Sequence, residues 1–180
     1  MQTKRKRPNL SLKKTIKKAE KVQNQNNSMI NKTENKENTP NITNIADNLF
    51  ISDYHFTKDE KNLKDKNISV IINLANQHCQ NSFPDRYIYK TFEISDRVTT
   101  EIGKEISNVT KIIEDYISKG ENVLVHCFKG ISRAPTMAIA YMMKFRGMEF
   151  NEAFDHVRKK NDGIDPNAGF LIQLNAIPTN

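Results

Sequence analysis

Cys127 and Arg133 stand five residues apart in the run Val123-Leu124-Val125-His126-Cys127-Phe128-Lys129-Gly130-Ile131-Ser132-Arg133-Ala134-Pro135. Val123–Val125 reads as a buried strand, and Pro135 marks an early helical position, where its missing N–H breaks no bond. A strand therefore ends at a cysteine, a short loop turns back, and a helix begins at once. In open α/β sheets ligands bind beyond the carboxyl ends of the strands. A loop entering a helix there aims successive backbone N–H groups at one centre, and the helix N-terminus adds partial positive charge. Such a cradle, built from Phe128, Lys129, Gly130, Ile131, Ser132 and Arg133, receives a tetrahedral dianion. Gly130 lets the loop turn tightly without a Cβ. Arg133 can grip two oxygens through its planar fork, which a lysine cannot. The same field favours the thiolate of Cys127, a nucleophile able to attack phosphorus. Taken singly, Cys127 reads as an ordinary buried cysteine. Its company of His126, Gly130, Ser132 and Arg133 makes it a catalytic candidate.

The elements that must position this loop are readable upstream and downstream. Ile42–Ser52 reads as a short strand or hairpin and Phe56–Asp65 as a short helix. Ile68–Leu74 is nearly all apolar and β-branched, as expected of a strand covered on both faces. Tyr87–Ile94 alternates and reads as a further strand. Thr99 or Thr100 is expected to cap a long helix carrying Ile102, Ile106, Val109, Ile113 and Ile117, which Gly120 stops. Ala138, Tyr141, Met142 and Phe145 follow the helical template after Pro135, as do Phe150, Ala153, Phe154 and Val157 in the next helix. A short helix over Gly169–Leu174 closes the domain. Strands alternating with helices imply a three-layer α/β fold with a mostly parallel central sheet flanked by helices.

Charge divides the chain of 180 residues in two. Residues 1–40 hold 11 Lys+Arg and 3 Asp+Glu, net +8, with no aromatic residue; residues 41–180 hold 17 and 18, net −1. The first segment cannot bury enough apolar surface to offset its ordering entropy and is expected to be a disordered basic tail, rich in Asn and Lys, on a catalytic domain spanning 41–180. A nucleic-acid-binding domain would carry its charge on the folded part, so no nucleic-acid partner is expected. No apolar run reaches the roughly 18 residues that would span a membrane, and no apolar stretch follows the basic N-terminus as in a secretory leader. Two cysteines do not make a disulfide framework, so a cytoplasmic or nuclear setting is expected.

The His-Cys-x5-Arg pattern with Ser before the Arg resembles the signature of the cysteine-dependent protein tyrosine phosphatases. The rest of the chain, from about Ile45 to Leu174, is similar to their dual-specificity branch, especially the MAP-kinase-phosphatase type. Supporting segments are Asn73-Leu74-Ala75-Asn76, the Tyr89-Lys90 strand, Ile139-Ala140-Tyr141-Met142-Met143, and Pro166-Asn167-Ala168-Gly169-Phe170-Leu171-Ile172-Gln173-Leu174. The resemblance implies hydrolysis of phosphate monoesters on proteins with neither metal nor cofactor. Cys127 is the implied nucleophile and Arg133 the transition-state clamp. Asp96, on a mobile loop between strand and helix, is the implied general acid; Asp85 lies too early, and Glu93 sits in or at the end of the strand. His126 is implied to order the loop. The chain departs from the family at Ala134, where relatives commonly have Ser or Thr. That hydroxyl eases release of the thiolate, so its loss bears on the second chemical step.

In the tail, Lys4, Arg5, Lys6 and Arg7 precede a two-residue spacer and then Leu10 and Leu12. This resembles the docking segment by which partners bind a MAP kinase, and the same basic run suits nuclear import. Two other functions stay open beside the protein phosphatase. One is a slow phosphoprotein-binding module, which Ala134 favours. The other is a phosphatase of a phosphoinositide, an RNA 5′ end or a glucan; against the lipid, the loop offers only Lys129 besides Arg133. Cys79 reads as an ordinary loop cysteine or as a resolving partner for oxidised Cys127.

Overall fold

The computed structural model describes residues 41–178; the tail readings, including Lys4–Leu12, lie outside the described residues. β1 (Ile42–Ala46) and β2 (Leu49–Ser52) form an antiparallel hairpin. Its turn places Asn48 at φ 63°, a left-handed conformation that Asn tolerates. β3 (Ile68–Asn73), β4 (Ile88–Thr91) and β5 (Asn122–His126) complete a five-stranded sheet in the order β1-β2-β5-β3-β4, parallel except for the hairpin. β5 is central. His126 lies in register with Ser52 on one side and Asn73 on the other. Three strands thus end together at one edge, where the candidate loop leaves β5.

Alternation along β5 sorts the core into two faces. Val123 and Val125 join Ile45, Val70, Ile72, Ile113, Met137 and Tyr141 under the long helices, while Leu124 joins Phe56, Leu63 and Ile71 on the other side. Each such fully buried aliphatic side chain contributes roughly 1.5–3 kcal/mol. The first face is covered by α2 (Gly103–Ile117), α3 (Arg133–Arg146), α4 (Phe150–Lys160) and α5 (Ala168–Asn175). The second is covered by a 3₁₀ turn at Phe56–Lys58 and by α1 (Glu60–Asp65). The expected three-layer architecture is the one found.

Four local expectations are corrected. The helix over Phe56–Asp65 is broken at Asp59, whose extended backbone lets its carboxylate cap α1 through Lys61 N–H. The strand over Tyr87–Ile94 is regular only for Ile88–Thr91. α2 is not capped by Thr99 or Thr100. The segment through Thr100 is a turn, and Ile102 occupies the N-cap. Phe145 does not face the core: it is 36% exposed and stacks on Tyr141. α3 is buried on every side from Arg133 to Met143, so a one-sided apolar template describes it poorly. No helix among the described residues is long and apolar enough to cross a membrane.

Candidate active site

Residues 127–132 close a tight loop between β5 and α3 at the carboxyl edge of the sheet. Its outer carbonyls are tied down: Tyr54 N–H donates to Phe128 O at 3.1 Å and Asp165 N–H donates to Ile131 O at 2.7 Å. The N–H groups of Phe128 to Arg133 find no acceptor among the described residues. Unpaired backbone donors gathered at the start of a 14-residue helix are what an anion requires. Gly130 is obligatory on two counts. Its φ is +73°, and a Cβ there would lie 2.8 Å from Asp53 N and 2.9 Å from Ser52 C. The loop therefore presses directly on the end of β2, where Asp53 is itself held by accepting from Phe56 N–H and Asn41 N–H.

Cys127 lines a cleft of about 350 Å³ with Asp96, Phe128, Lys129, Ile131, Ser132, Arg133, Asp165 and Asn167. Cys127 is 1% exposed and Arg133 7%. Arg133 Nη1 donates to Ile94 O at 3.1 Å, which fixes the guanidinium plane. Its Nε has no hydrogen-bond acceptor and stands 3.5 Å from Asp96 Oδ2, a charge contact too long for a hydrogen bond. The fork is thus held from one side and offers its other donors to the cleft. His126 is 1% exposed, and Tyr54 stacks on its ring at 6.2 Å. Burial pushes the His126 imidazole down to about 4, against a smaller opposing pull from the Cys127 backbone, so it is neutral at physiological pH.

Of the three carboxylates weighed as acids, only Asp96 lines the cleft; Asp85 and Glu93 do not. Main-chain bonds beyond β4 deliver it: Phe92 N–H to Asn73 O, and Ile94 N–H to Leu74 O. Asp96 Oδ1 accepts from Ser132 Oγ and from Asn167 Nδ2, both at 2.7 Å. Asn167 and Asp165 were missed by the sequence reading. Pro166-Asn167 before an apolar run is a helix-cap signal, and Asn167 does cap α5 by accepting from Phe170 N–H. Its bond to Asp96 had no sequence signal. Buried Asn73 is a further supporting residue: it donates to Cys79 O and Asn81 Oδ1, accepts from Ala75 N–H, and shapes the turn beneath the cleft.

Cys79 lies in a loop, as its sequence neighbours imply. It is fully buried in the same core cluster as Cys127, and burial pushes its thiol up to about 11. No cluster of three or more His, Cys, Asp or Glu able to hold a metal occurs among the described residues. A wider groove of about 700 Å³ beside α1 is lined by Glu60, Lys64, Asn67, Ile68, Arg86 and Tyr87. It is not lined by a cysteine, and Glu60 there is committed to Arg86 and Lys64.

Set beside known proteins, residues 49–180 match the family model of the dual specificity phosphatase catalytic domain. Dual specificity protein phosphatase 1B of Arabidopsis thaliana is 35% identical over 133 residues, covering 74% of this chain and 79% of that protein. Dual specificity protein phosphatase 1 of the same plant is 31% identical over 160 residues, covering 86% and 79%. Among solved structures, the human tyrosine phosphatase-like serine/threonine/tyrosine-interacting protein superposes with a TM-score of 0.69 at 29% identity, covering 74% of this chain and 92% of that one.

Proposed function

The chain belongs to the dual specificity protein phosphatases, and we propose that it hydrolyses phosphotyrosine and phosphoserine or phosphothreonine on proteins through a cysteinyl-phosphate intermediate. The observation that carries this reading is the cleft itself: a buried cysteine at the bottom, six uncommitted amides and an arginine fork around it, and a carboxylate above. Cys127 Sγ attacks phosphorus, the S–P bond forms, the P–O bond breaks, and Asp96 gives its proton to the leaving oxygen. Water then attacks the thiophosphate. Asp96 takes the water's proton, the S–P bond breaks, and inorganic phosphate and the thiolate are released. The amides and Arg133 stabilise charge on the equatorial oxygens, usually the largest catalytic contribution. His126 keeps the loop in shape as a neutral, buried ring.

Two carboxylates, Asp96 and Asp165, line the cleft, and Lys129 is the one lysine there. That balance favours a singly phosphorylated side chain over a polyphosphorylated lipid. The test is substrate trapping: Cys127→Ser should retain phosphoproteins from a lysate, and free orthovanadate should release them. Retention that vanadate leaves untouched would place binding outside the cleft.

A second reading is favoured by one observation. Ser132 Oγ is donated to Asp96 and Thr136 Oγ1 to Ser132 O, so with alanine at 134 neither neighbouring hydroxyl is left to assist Cys127 as a leaving group. A phosphate-capturing module with slow turnover would show a stoichiometric burst followed by almost no steady rate. For the target, we propose a MAP kinase reached through the tail, with Lys4–Arg7 on an acidic patch and Leu10 and Leu12 in an apolar groove. Leu10→Ala with Leu12→Ala should slow action on the phosphorylated kinase at unchanged net charge while leaving aryl phosphate hydrolysis intact. Equal rates on the kinase would rule docking out and leave nuclear import, or nothing, as the role of the basic run.

A further inference from the structure

We propose that Asn167 is a positioning residue that acts through Asp96, fixing which carboxylate oxygen carries the transferable proton; this rests on Asp96 being the general acid. Asp96 lies in a segment without regular structure between β4 and α2, and its side chain is 31% exposed. Left to itself, such a carboxylate samples several rotamers. Here two donors converge on a single oxygen. Ser132 Oγ and Asn167 Nδ2 both reach Oδ1 at 2.7 Å. A proton on Oδ1 would meet those donors head on, so it belongs on Oδ2, the oxygen beside Arg133.

The amide of Asn167 has no freedom to turn over. Its Oδ1 accepts from Phe170 N–H at 3.0 Å, and the main-chain N–H of Asn167 donates to Ser132 Oγ at 3.3 Å. Exchanging O and N would set the amide oxygen against the Asp96 carboxylate and the NH₂ against an N–H, two repulsions in place of two bonds. Behind Asn167 the rest of α5 grips the same segment. Gln173 accepts from Ile102 N–H and donates to Thr100 O, both at 2.8 Å. Gly169 packs so closely that a Cβ there would fall 1.9 Å from Val98 O. α5 is therefore a clasp on residues 96–102, and Asn167 is its point of contact with the chemistry.

The test is a double-mutant cycle read on two substrates, phenyl phosphate and 2,4-dinitrophenyl phosphate. Asn167→Ser keeps a side-chain oxygen for capping α5, but its hydroxyl is one atom too short to take the place of Nδ2 at Asp96. It should lower kcat/KM, which reports phosphoenzyme formation, about tenfold or more on phenyl phosphate, part of the 10²–10⁴-fold worth of a positioned acid, and change it less than about twofold on the dinitrophenyl ester. In the Asp96→Asn background it should cause no further loss. Asn167→Asp, which also keeps the cap but sets a like charge against Asp96, should lose more than Asn167→Ser on phenyl phosphate alone. Melting temperature and the rate of Cys127 alkylation by iodoacetate report whether fold and nucleophile are intact. Equal losses on both esters, or a loss that persists in the Asp96→Asn background, would reduce Asn167 to a support for α5. A loss in Asp96→Asn with none in Asn167→Ser overturns the positioning role alone, whereas full activity in Asp96→Asn overturns the acid assignment and the positioning role with it.

Discussion

The loop over residues 126–133, proposed to hold the phosphate, and the segment carrying Asp96, proposed to supply the proton, line one cleft but are built by opposite means. The loop is a backbone device. Its contribution comes from N–H groups, a positive φ at Gly130 and a helix start, all within residues 126–133. The acid segment has no regular structure and is held by side chains, Ser132 from 36 residues away and Asn167 from 71. A backbone device tolerates few substitutions and is written in consecutive letters. A side-chain device is assembled from distant parts of the chain and can be loosened without unfolding the site. The two regions should therefore fail differently when mutated.

The largest effect is expected at the nucleophile. Cys127→Ser should abolish turnover of a small aryl phosphate, and EDTA should leave the wild-type rate unchanged; activity that survives the substitution and dies with the chelator would remove the cysteine mechanism. Gly130→Ala tests the backbone device directly. The added Cβ meets the main chain of Ser52 and Asp53, which cannot swing aside as a side chain would. We expect vanadate affinity and kcat to fall together by at least about 10²-fold, the scale of losing one well-placed anion donor. A Gly130→Ala enzyme with normal vanadate binding would show that the loop shape is not what binds the anion.

The acid segment should behave otherwise. Asp96→Asn should lower kcat/KM, which reports the first chemical step, by about 10²-fold or more on a poor leaving group and far less on a good one, because only the former needs the proton in that step. Vanadate affinity should change little. A variant Asp165→Asn enzyme with the larger loss would reassign the acid to the other carboxylate in the cleft.

The contrast also explains what the sequence made legible. The sheet, the order of helices and the loop were readable because each depends on local patterns: apolar runs, helical periodicity, a cysteine and an arginine at fixed spacing. Asp96 came only from the family resemblance, since by its neighbours alone it reads as an ordinary loop carboxylate. Thr100 as a cap was misread because the end of α2 is organised by Gln173, a residue of another element. Phe145 was misplaced because α3 is buried all round, so periodicity cannot single out a face. Cys79 looked like a loop residue among Asn, Gln and His, and is buried because Asn73 folds that turn inward. The bond from Asn167 to Asp96 was not legible, since contacts across 71 residues leave no mark in a single sequence.

Acid should expose the cost of building the phosphate loop on a buried neutral ring. The His126 imidazole is pushed down from its ordinary 6.5 to about 4 by burial. The unfolded chain therefore takes up a proton at higher pH than the folded one. Stability from this group is complete above about pH 6.5 and is lost as pH falls toward 4, by roughly 3 kcal/mol in all at about 1.4 kcal/mol per pH unit. Thermal unfolding from pH 7 to 4.5 should show a falling midpoint in the wild type and a shallower fall in His126→Asn. Parallel curves would show that another group governs the acid response.

The smallest effect, and the one that separates the two chemical steps, is expected at Ala134. This residue begins α3 beside Arg133 and is fully buried. The hydroxyls nearest in sequence are both engaged, Ser132 with Asp96 and Thr136 with the Ser132 carbonyl. Ser132 thus serves the acid segment and cannot also serve the thiolate, so the first step is equipped and the second is not. Ala134→Ser adds a hydroxyl that can donate to the departing sulfur, a bond worth about 1 kcal/mol and so roughly a fivefold gain in rate. We expect a pre-steady-state burst in the wild type, a burst of similar rate in Ala134→Ser, and a severalfold faster steady phase in the variant. If the wild type shows no burst and Ala134→Ser leaves kcat unchanged, hydrolysis of the phosphoenzyme was never limiting, and the division of labour between the two loops lies in the first step alone.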